Sequence, residues 1–226
     1  MCEEHGYDII LADYNLGDGK NGQQILEEMR FKSMLKSTSI YMMITAETTK
    51  SMVFGALEYQ PDDYLTKPFT QSVLQKRLNR MVLEKEALYP IHHAIDLHEY
   101  DQAIEHCRAR IALKDKYQSR CRRLIGDCLF KKNKFSQSIE IYKKVLEVRP
   151  VEWASIGLGK NLMALNQLEG AETVFTELVE KGTLCLEVYD YLADIKRLRG
   201  DLIGTQTLLE DAIEISPNAI KRQQKL

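Results

Sequence analysis

The sequence lacks most of the features that identify secreted, metal-binding and membrane proteins. Its five cysteines include no Cys-x-x-Cys pair, which excludes the common zinc and redox motifs and indicates reduced thiols. Cys121 and Cys128 are two helical turns apart, whereas a disulfide needs closer β-carbons. Lysine and arginine total 31 against 33 acidic residues, so no basic field attracts nucleic acid. No apolar run approaches the roughly 20 residues of a membrane-spanning helix. We therefore expect a cytoplasmic protein that binds neither nucleic acid nor membrane.

The first part of the chain, up to about Phe69, alternates short apolar runs with helical patterns. The apolar runs are residues 9–12, 40–44 and 64–66, and the helical patterns are residues 23–31 and 49–58. Runs that are apolar on both faces and separated by helices predict parallel strands of a covered α/β sheet. Chemistry in such sheets gathers at the carboxyl ends of the strands. Asp13, Thr45 and Lys67 follow these three runs, so we expect them to lie close together.

Three segments of this region carry a family resemblance. They are YDIILADYNL at residues 7–16, ITA at 44–46 and DYLTKPF at 63–69. Together they resemble the receiver domain of two-component response regulators. The resemblance implies a flavodoxin-like sheet of which this chain holds strands three to five, because its sequence starts just before the third strand. We therefore expect an N-terminally truncated receiver.

The resemblance implies a role for individual residues. Asp13 corresponds to the aspartate that accepts a phosphoryl group, and a carboxylate is a suitable nucleophile for that transfer. Thr45 corresponds to the switch hydroxyl and Lys67 to the lysine that pairs with the phosphate. Tyr64 matches the aromatic residue that swings inward when the hydroxyl moves. Lys67-Pro68 matches a peptide bond that is usually cis in the family.

The same resemblance implies Mg²⁺ as a cofactor of the complete receiver. Asp13 and the backbone carbonyl of Asn15 would be two of its ligands. The family's acidic pair, which follows its first strand and completes the site, is absent from this sequence. We therefore expect Mg²⁺ binding by this chain to be weak or absent.

From about Glu84 onward the strand signals disappear and a repeat takes their place. Small residues recur at steps of 35, 33 and 34, at Ala103, Ser138, Ala171 and Thr205. The same steps relate Ile91, Gly126, Gly159 and Ala193; Cys107, Tyr142, Phe175 and Leu209; and the turn residues His98, Asn133, Asn166 and Gly200. A period of about 34 with small residues between paired helices is the signature of tetratricopeptide (TPR) repeats. A generic helical bundle would not keep this step.

We therefore predict an α/β domain followed by an all-α solenoid. Residues 1–83 would form the truncated receiver, from its third strand to its last helix. About four repeats would occupy residues 84–118, 119–151, 152–185 and 186–219, and the start of a further helix would follow. Gly159 lies inside a predicted helix, where it would allow close packing.

The resemblance to TPR proteins predicts a ligand groove lined by the first helix of each repeat. The predicted groove residues are Arg120, Arg123, Asp127, Phe130, Lys131, Trp153, Ile156, Lys160, Met163, Glu187, Asp190, Asp194 and Arg197. The middle of this set is basic and apolar, which suits an extended peptide or helix with acidic and hydrophobic residues.

The combined hypothesis is a phosphorylation-controlled adaptor that is not itself an enzyme. A sensor histidine kinase or phosphotransfer protein would phosphorylate the receiver, and the repeats would bind a protein partner. Two alternatives stay open: a scaffold with a degenerate receiver, and the regulatory part of an enzyme whose catalytic part lies outside this sequence. Without the first two receiver strands, residues 9–13 would form an unpaired edge, so we also expect a homodimer through this strand.

Overall fold

A computed structural model shows two compact units, which we describe separately. The structure describes residues 7–17, 19–46, 61–183 and 185–216. One unit takes in the chain up to Tyr89 together with the chain from Leu209 onward, and Pro90–Leu208 forms the second. The first contains strands and helices, whereas the described residues of the second contain helices alone. The predicted order, an α/β region followed by an all-α region, is confirmed. The helical pattern at residues 49–58 and the predicted helix after residue 219 lie outside the described residues.

The first unit is built on a parallel sheet. Its strands are β1 (Ile9–Asp13), β2 (Ile40–Thr45) and β3 (Asp63–Thr66), paired in that order. In register, Asp13 lies beside Ile44, and Thr45 lies beside Thr66. The three apolar runs of the sequence are therefore strands, and their carboxyl ends meet at one edge of the sheet.

Two helices, α1 (Gly22–Phe31) and α2 (Gln71–Ala87), cover opposite faces of this sheet. The cluster under α1 contains Ala12, Tyr14, Leu26, Met29, Tyr41 and Met43, and the cluster under α2 contains Ile40, Met42, Leu65 and Met81. Successive residues of β2 alternate between the two clusters, as side chains on a strand must. This alternation explains why the strand is apolar on both faces. On β1, however, Ile9 and Leu11 are 42% and 45% exposed.

After α2 the described chain is helical. The helices are α3 (Tyr89–Asp96), α4 (Tyr100–Ala112), α5 (Gln118–Lys131), α6 (Phe135–Val148), α7 (Glu152–Ala164), α8 (Leu168–Glu180), α9 (Glu187–Leu198) and α10 (Leu202–Ile215). The turn that follows the first helix of each pair is the same throughout. Its central residue has positive φ: His98 at 60°, Asn133 at 58°, Asn166 at 57° and Gly200 at 79°. The next residue donates its N–H to a carbonyl in the last turn of the helix, as Lys134 does to Leu129 at 2.9 Å.

Small residues allow the helices of neighbouring pairs to approach closely. A Cβ atom added to Gly126 on α5 or Gly157 on α7 would collide with the ring of Tyr142 on α6. The Tyr142 ring therefore lies between two glycines of different helices, and its hydroxyl donates to Asp127 Oδ1 at 2.8 Å. Gly159 leaves equivalent room for Phe175 on α8. These contacts are the physical reason for the small residues in the repeat.

Candidate functional site

The carboxyl edge of the sheet holds an acid–base pair. Asp13 is the last residue of β1, and its Oδ2 accepts a hydrogen bond from Nζ of Lys67, which follows β3. The backbone N–H of Asn15 donates to Asp13 Oδ1 at 3.2 Å. The backbone N–H of Lys67 donates to the Thr45 carbonyl at 2.6 Å, which ties the loop after β3 to the end of β2. The Lys67–Pro68 peptide bond is cis. The strand ends thus bring Asp13 and Lys67 into direct contact.

Thr45 and Tyr64 lie on the neighbouring strands β2 and β3. Thr45 ends β2, between β1 and β3, and is 1% exposed. Tyr64 is half-buried and packs against the cluster under α1. Its backbone carbonyl accepts a hydrogen bond from Arg77 Nη1 at 3.1 Å. Thr45 therefore lies at the strand ends where the Asp13–Lys67 pair lies, whereas Tyr64 lies two residues before the end of β3.

Asp13 is held in its charged form. The hydrogen bond from Lys67 lowers the pKa of the Asp13 carboxyl, and the backbone N–H groups of Asn15 and Tyr14 lower it further. Burial works in the opposite direction but does not outweigh them. Its side chain keeps 32% of its surface exposed. Asp13 is therefore a carboxylate at neutral pH that a reagent in solvent can reach.

The helical unit brings three successive first helices together around Lys160. Its Nζ lies 5.9 Å from the ring centroid of Phe130 on α5 and 5.7 Å from that of Tyr191 on α9. The same Nζ lies 3.6 Å from Glu187 Oε1, which also accepts a hydrogen bond from the Tyr191 hydroxyl at 2.5 Å. We call Phe130, Lys160, Glu187 and Tyr191 the Lys160 cluster. Three of its members were predicted from the sequence, and Tyr191 was not.

The other predicted groove residues have mixed surroundings. Trp153 packs edge-on against Tyr142, with ring centroids 6.2 Å apart. Ile156 and Met163 are partly buried against the apolar cluster of α8 and α9 and so belong in part to the core. Two ion pairs lie within single helices, Arg123 with Asp127 and Arg197 with Asp194. Arg120 is half-buried, Lys131 is exposed, and Asp190 is half-buried.

Family models match both parts of the chain. Residues 1–79 match the model described as response regulator receiver domain. Residues 124–152, which include the second half of α5 and all of α6, match the tetratricopeptide repeat model. We refer to residues 1–79 as the receiver segment and to the helices α3–α10 as the repeat array. Neither matched model describes a catalytic family.

Curated relatives resemble the receiver segment. Chemotaxis protein CheY-3 of Vibrio cholerae is 28% identical over 81 residues, which are 36% of this chain and 61% of that protein. Transcriptional regulatory protein CiaR of Streptococcus pneumoniae is 38% identical over 81 residues, 36% of this chain and 34% of that protein. Regulatory protein VanRB of Enterococcus faecalis is 32% identical over 85 residues, 38% of this chain and 36% of that protein. The chain spans less than two thirds of each of these relatives.

Receiver domains generally bind Mg²⁺, but the described residues do not make a complete site for it. Mg²⁺ takes six oxygen ligands in octahedral geometry. In the described ranges, no three His, Cys, Asp or Glu side chains are grouped so that they could hold a metal ion. Asp13 supplies one carboxylate, and its Oδ2 is already hydrogen-bonded to Lys67. The Asn15 side chain accepts the N–H of Gly17 at 3.1 Å and shapes the turn after Asp13.

Three residues that position Asp13 were not predicted as such from the sequence. Asn21 and Gln24 form a capping box that starts α1: Asn21 Oδ1 accepts the Gln24 N–H at 2.8 Å, and Gln24 Oε1 accepts the Asn21 N–H at 3.1 Å. Gly22 donates its N–H to the Tyr14 carbonyl, and a Cβ there would collide with the carbonyl oxygen of Asp13. Asparagine followed three residues later by glutamine is a signal that sequence reasoning could have used.

A second unpredicted group of residues anchors α2 at the amino end of β3, opposite to the end where Asp13 and Lys67 meet. The Asp63 carboxylate pairs with Arg77 and with Arg80, at 2.9 Å each. Asp62 accepts the N–H of Tyr41 at 2.9 Å and pairs with Lys85 at 3.0 Å. These ionic hydrogen bonds fix the helix that follows the Lys67 loop.

Among the residues that the structure describes, we find no helix long and apolar enough to span a bilayer.

Proposed function

We propose that this chain is a phosphorylation-controlled adaptor of a two-component system. Asp13 accepts a phosphoryl group from a sensor histidine kinase or phosphotransfer protein, and this modification controls protein binding by the repeat array. The receiver-domain match and the TPR match support a role in signalling. The observation that carries the finer proposal is the Asp13–Lys67 pair at the carboxyl edge of the sheet. We place this activity in the cytoplasm, where two-component phosphotransfer to receivers takes place.

The chemistry that we propose follows from the charges at this edge. A carboxylate oxygen of Asp13 attacks the phosphorus atom of the donor, and the bond from that phosphorus to the donor atom breaks. The donor leaves with the bonding electrons. The Lys67 ammonium, which is paired with Asp13 before the reaction, offsets charge on the oxygens of the transferred group. The Thr45 hydroxyl then hydrogen-bonds a phosphate oxygen in the product.

Phosphate uptake from acetyl phosphate in Mg²⁺ buffer tests Asp13 as the acceptor. A wild-type parent protein that also supplies the family's acidic pair should gain an acid-stable, base-labile phosphate, detected as a mass increase of one phosphoryl group in the intact protein. Asp13→Asn should abolish this gain. Asp8→Asn is a matched control, because Asp8 is exposed and precedes the same strand. Equal uptake by Asp13→Asn would move the acceptor elsewhere, and no uptake by a wild-type parent that has the acidic pair would favour the phosphorylation-independent scaffold.

We further propose that the Lys160 cluster is the centre of the peptide-binding groove. Its supporting observation is the meeting of side chains from α5, α7 and α9 on one surface. Aromatic rings next to a lysine suit a ligand that combines apolar and acidic residues, because the rings bind the former and the ammonium the latter. A ligand carboxylate would replace the Glu187 carboxylate as the partner of the Lys160 ammonium group.

A peptide array provides the probe for this surface. The wild-type chain should bind peptides with alternating acidic and apolar residues, and not the same peptides with lysine in place of each acid. Two variants should each weaken the affinity for these peptides at least tenfold, as measured by fluorescence anisotropy: Lys160→Glu, and Trp153→Ala combined with Arg123→Glu. Lys144→Glu on the exposed face of α6 is the control with the same charge change. Binding that is unaffected by both groove variants would place the ligand on another surface.

Finally, we propose that the chain forms a homodimer through β1. Within the described part of the chain, β1 pairs with β2 alone, and its Ile9 and Leu11 side chains are exposed. A second copy of the strand would satisfy the unpaired backbone groups and cover these side chains.

A further inference from the structure

The side chain of Tyr41 carries a hydroxyl group into the core under α1. Tyr41 is the second residue of β2, and it is fully buried, at 0% exposure. It shares its cluster with apolar side chains such as Leu26 and Met29. A buried hydroxyl costs free energy unless it is hydrogen-bonded, so its partner matters. That partner is the backbone carbonyl of Gly22, which accepts the hydroxyl proton at 2.9 Å.

Gly22 is the first residue of α1 and lies against the backbone that carries Asp13. Its N–H donates to the Tyr14 carbonyl at 2.9 Å, and a Cβ atom at this position would collide with the carbonyl oxygen of Asp13. A displacement of Gly22 would therefore displace the end of β1. Because the Tyr41 hydroxyl restrains Gly22 from β2, it also limits where the Asp13 carboxylate can lie.

The backbone of Tyr41 is itself held on both of its polar groups. Its N–H donates to Asp62 Oδ2 at 2.9 Å, and its carbonyl accepts the Asp62 N–H at 2.8 Å. Asp62 pairs in turn with Lys85 of α2, and the two side chains are only 18% and 16% exposed. With its backbone fixed and its ring packed in the core, Tyr41 presents its hydroxyl at one place. A donor held in this way can fix the position of the group that it binds.

We propose that Tyr41 is a positioning residue for phosphoryl transfer to Asp13. Its hydroxyl holds Gly22, and Gly22 holds the end of β1. The Asp13 carboxylate therefore keeps its hydrogen bonds with Lys67 and with the N–H of Asn15. A phenylalanine would fill the same space, so packing alone does not require the hydroxyl. This inference rests on the proposed function for its chemical meaning, but the contacts that it concerns exist before any phosphate arrives.

Titration of Asp13 in the full chain tests the positioning. Tyr41→Phe removes the hydroxyl and keeps the ring. In this variant the carboxyl ¹³C resonance of Asp13 should titrate at higher pH than in wild type, because the hydrogen bonds that lower its pKa are loosened. Leu35→Ala is the control: it weakens the same cluster beyond the other end of α1, away from Gly22, and should leave this titration unchanged. An Asp13 titration unchanged by Tyr41→Phe, or shifted equally by Leu35→Ala, would overturn the proposal.

Phosphoryl uptake separates this proposal from the proposed function. In a parent protein that has the acidic pair, Tyr41→Phe should take up phosphate from saturating acetyl phosphate roughly tenfold more slowly than wild type, because a displaced nucleophile attacks less often. Leu35→Ala should react at the wild-type rate. Equal rates for Tyr41→Phe and wild type would overturn the positioning role and leave Asp13 as the acceptor. If the wild-type parent takes up no phosphate, the proposed function fails, and the titration still decides whether Tyr41 positions the carboxylate.

The wild-type chain supplies a further measurement that does not depend on the folding of a variant. A hydroxyl proton bonded to Gly22 in the core should exchange slowly enough with water to be observed by NMR and should show contacts to α1. A Tyr41 hydroxyl proton that exchanges as fast as that of free tyrosine would refute the hydrogen bond and the proposal with it.

Discussion

At the scale of single residues, backbone conformation explains the turn positions better than side-chain chemistry does. Four turn residues of the repeat array adopt positive φ: His98, Asn133, Asn166 and Gly200. One of these four is a glycine. Asparagine tolerates this conformation because of its short polar side chain, and glycine adopts it without strain. The requirement shared by these positions is therefore a left-handed backbone.

We expect Gly200→Ala to destabilise the repeat array. Its φ is +79° and an added Cβ would meet no neighbour within 4 Å, so the effect is one of backbone strain alone. The loss should be about 1 kcal/mol in the free energy of unfolding, measured by urea denaturation. Gly170→Ala is the matched control: it lies in α8 with ordinary neighbours and should gain about 0.5–1 kcal/mol through better helix propensity. If Gly200→Ala and Gly170→Ala changed the free energy of unfolding by similar amounts, backbone strain at residue 200 could not be the cause.

Removing the lysine from the acid–base pair should change the titration of Asp13. With Lys67 present, the pKa of Asp13 in the folded chain lies below its value in the unfolded chain. The pair therefore stabilises the fold above the unfolded pKa, and this contribution is lost as the pH falls through the folded pKa. In Lys67→Met the carboxyl ¹³C resonance of Asp13 should titrate at higher pH, and the stability difference from wild type should shrink in acid. An Asp13 titration identical to that in Lys36→Met, an exposed control, would argue against the contact.

At the scale of elements, α2 is held by charged groups as well as by its apolar face. Asp63 has 12% of its side chain exposed and accepts from both Arg77 and Arg80, of which Arg80 is 65% exposed. Asp63→Asn should lower the free energy of unfolding by about 1–2 kcal/mol, since Arg77 loses a charged partner in a half-buried position. Arg80→Ala should cost at most about 0.5 kcal/mol, because exposed ion pairs are screened by water. Denaturant titration followed by circular dichroism distinguishes the two outcomes.

The elements themselves could be predicted from the sequence, whereas contacts through space could not. The three strands and the repeat helices follow from periodicity, since alternation on β2 and a step of 33 to 35 residues determine which side chains are buried. The rotation of one helix against another is not encoded in such a pattern. The place of Tyr191 beside Lys160 and the salt bridges of Asp63 depend on that rotation, so they emerged only from the structure. For the same reason, Ile156 and Met163 were assigned to the groove although they pack in part against the core.

At the scale of the whole molecule, the exposed edge of β1 bears on the assembly state. If β1 pairs with its counterpart in a second copy, the chain should sediment as a dimer at tens of micromolar (roughly −6 kcal/mol or stronger). Leu11→Lys should yield monomers, because a charge on an exposed edge strand opposes pairing without disturbing the core. Leu198→Lys, at a residue that is 58% exposed on α9, is the control. A wild-type chain that sediments as a monomer at this concentration would refute the proposed dimer.

The Tyr142 ring, which lies between Gly126 and Gly157, has a consequence for how the array opens. Each glycine belongs to a different repeat, so the stability of either repeat depends on the other being folded around the same side chain. In arrays where each unit touches only its neighbours, such shared contacts supply the interaction free energy that couples the folding of adjacent units. Unfolding should then not stop between α6 and α7. Amide hydrogens from α5 to α7 should exchange with a common opening free energy, and Tyr142→Ala should split them into two populations that exchange at different rates.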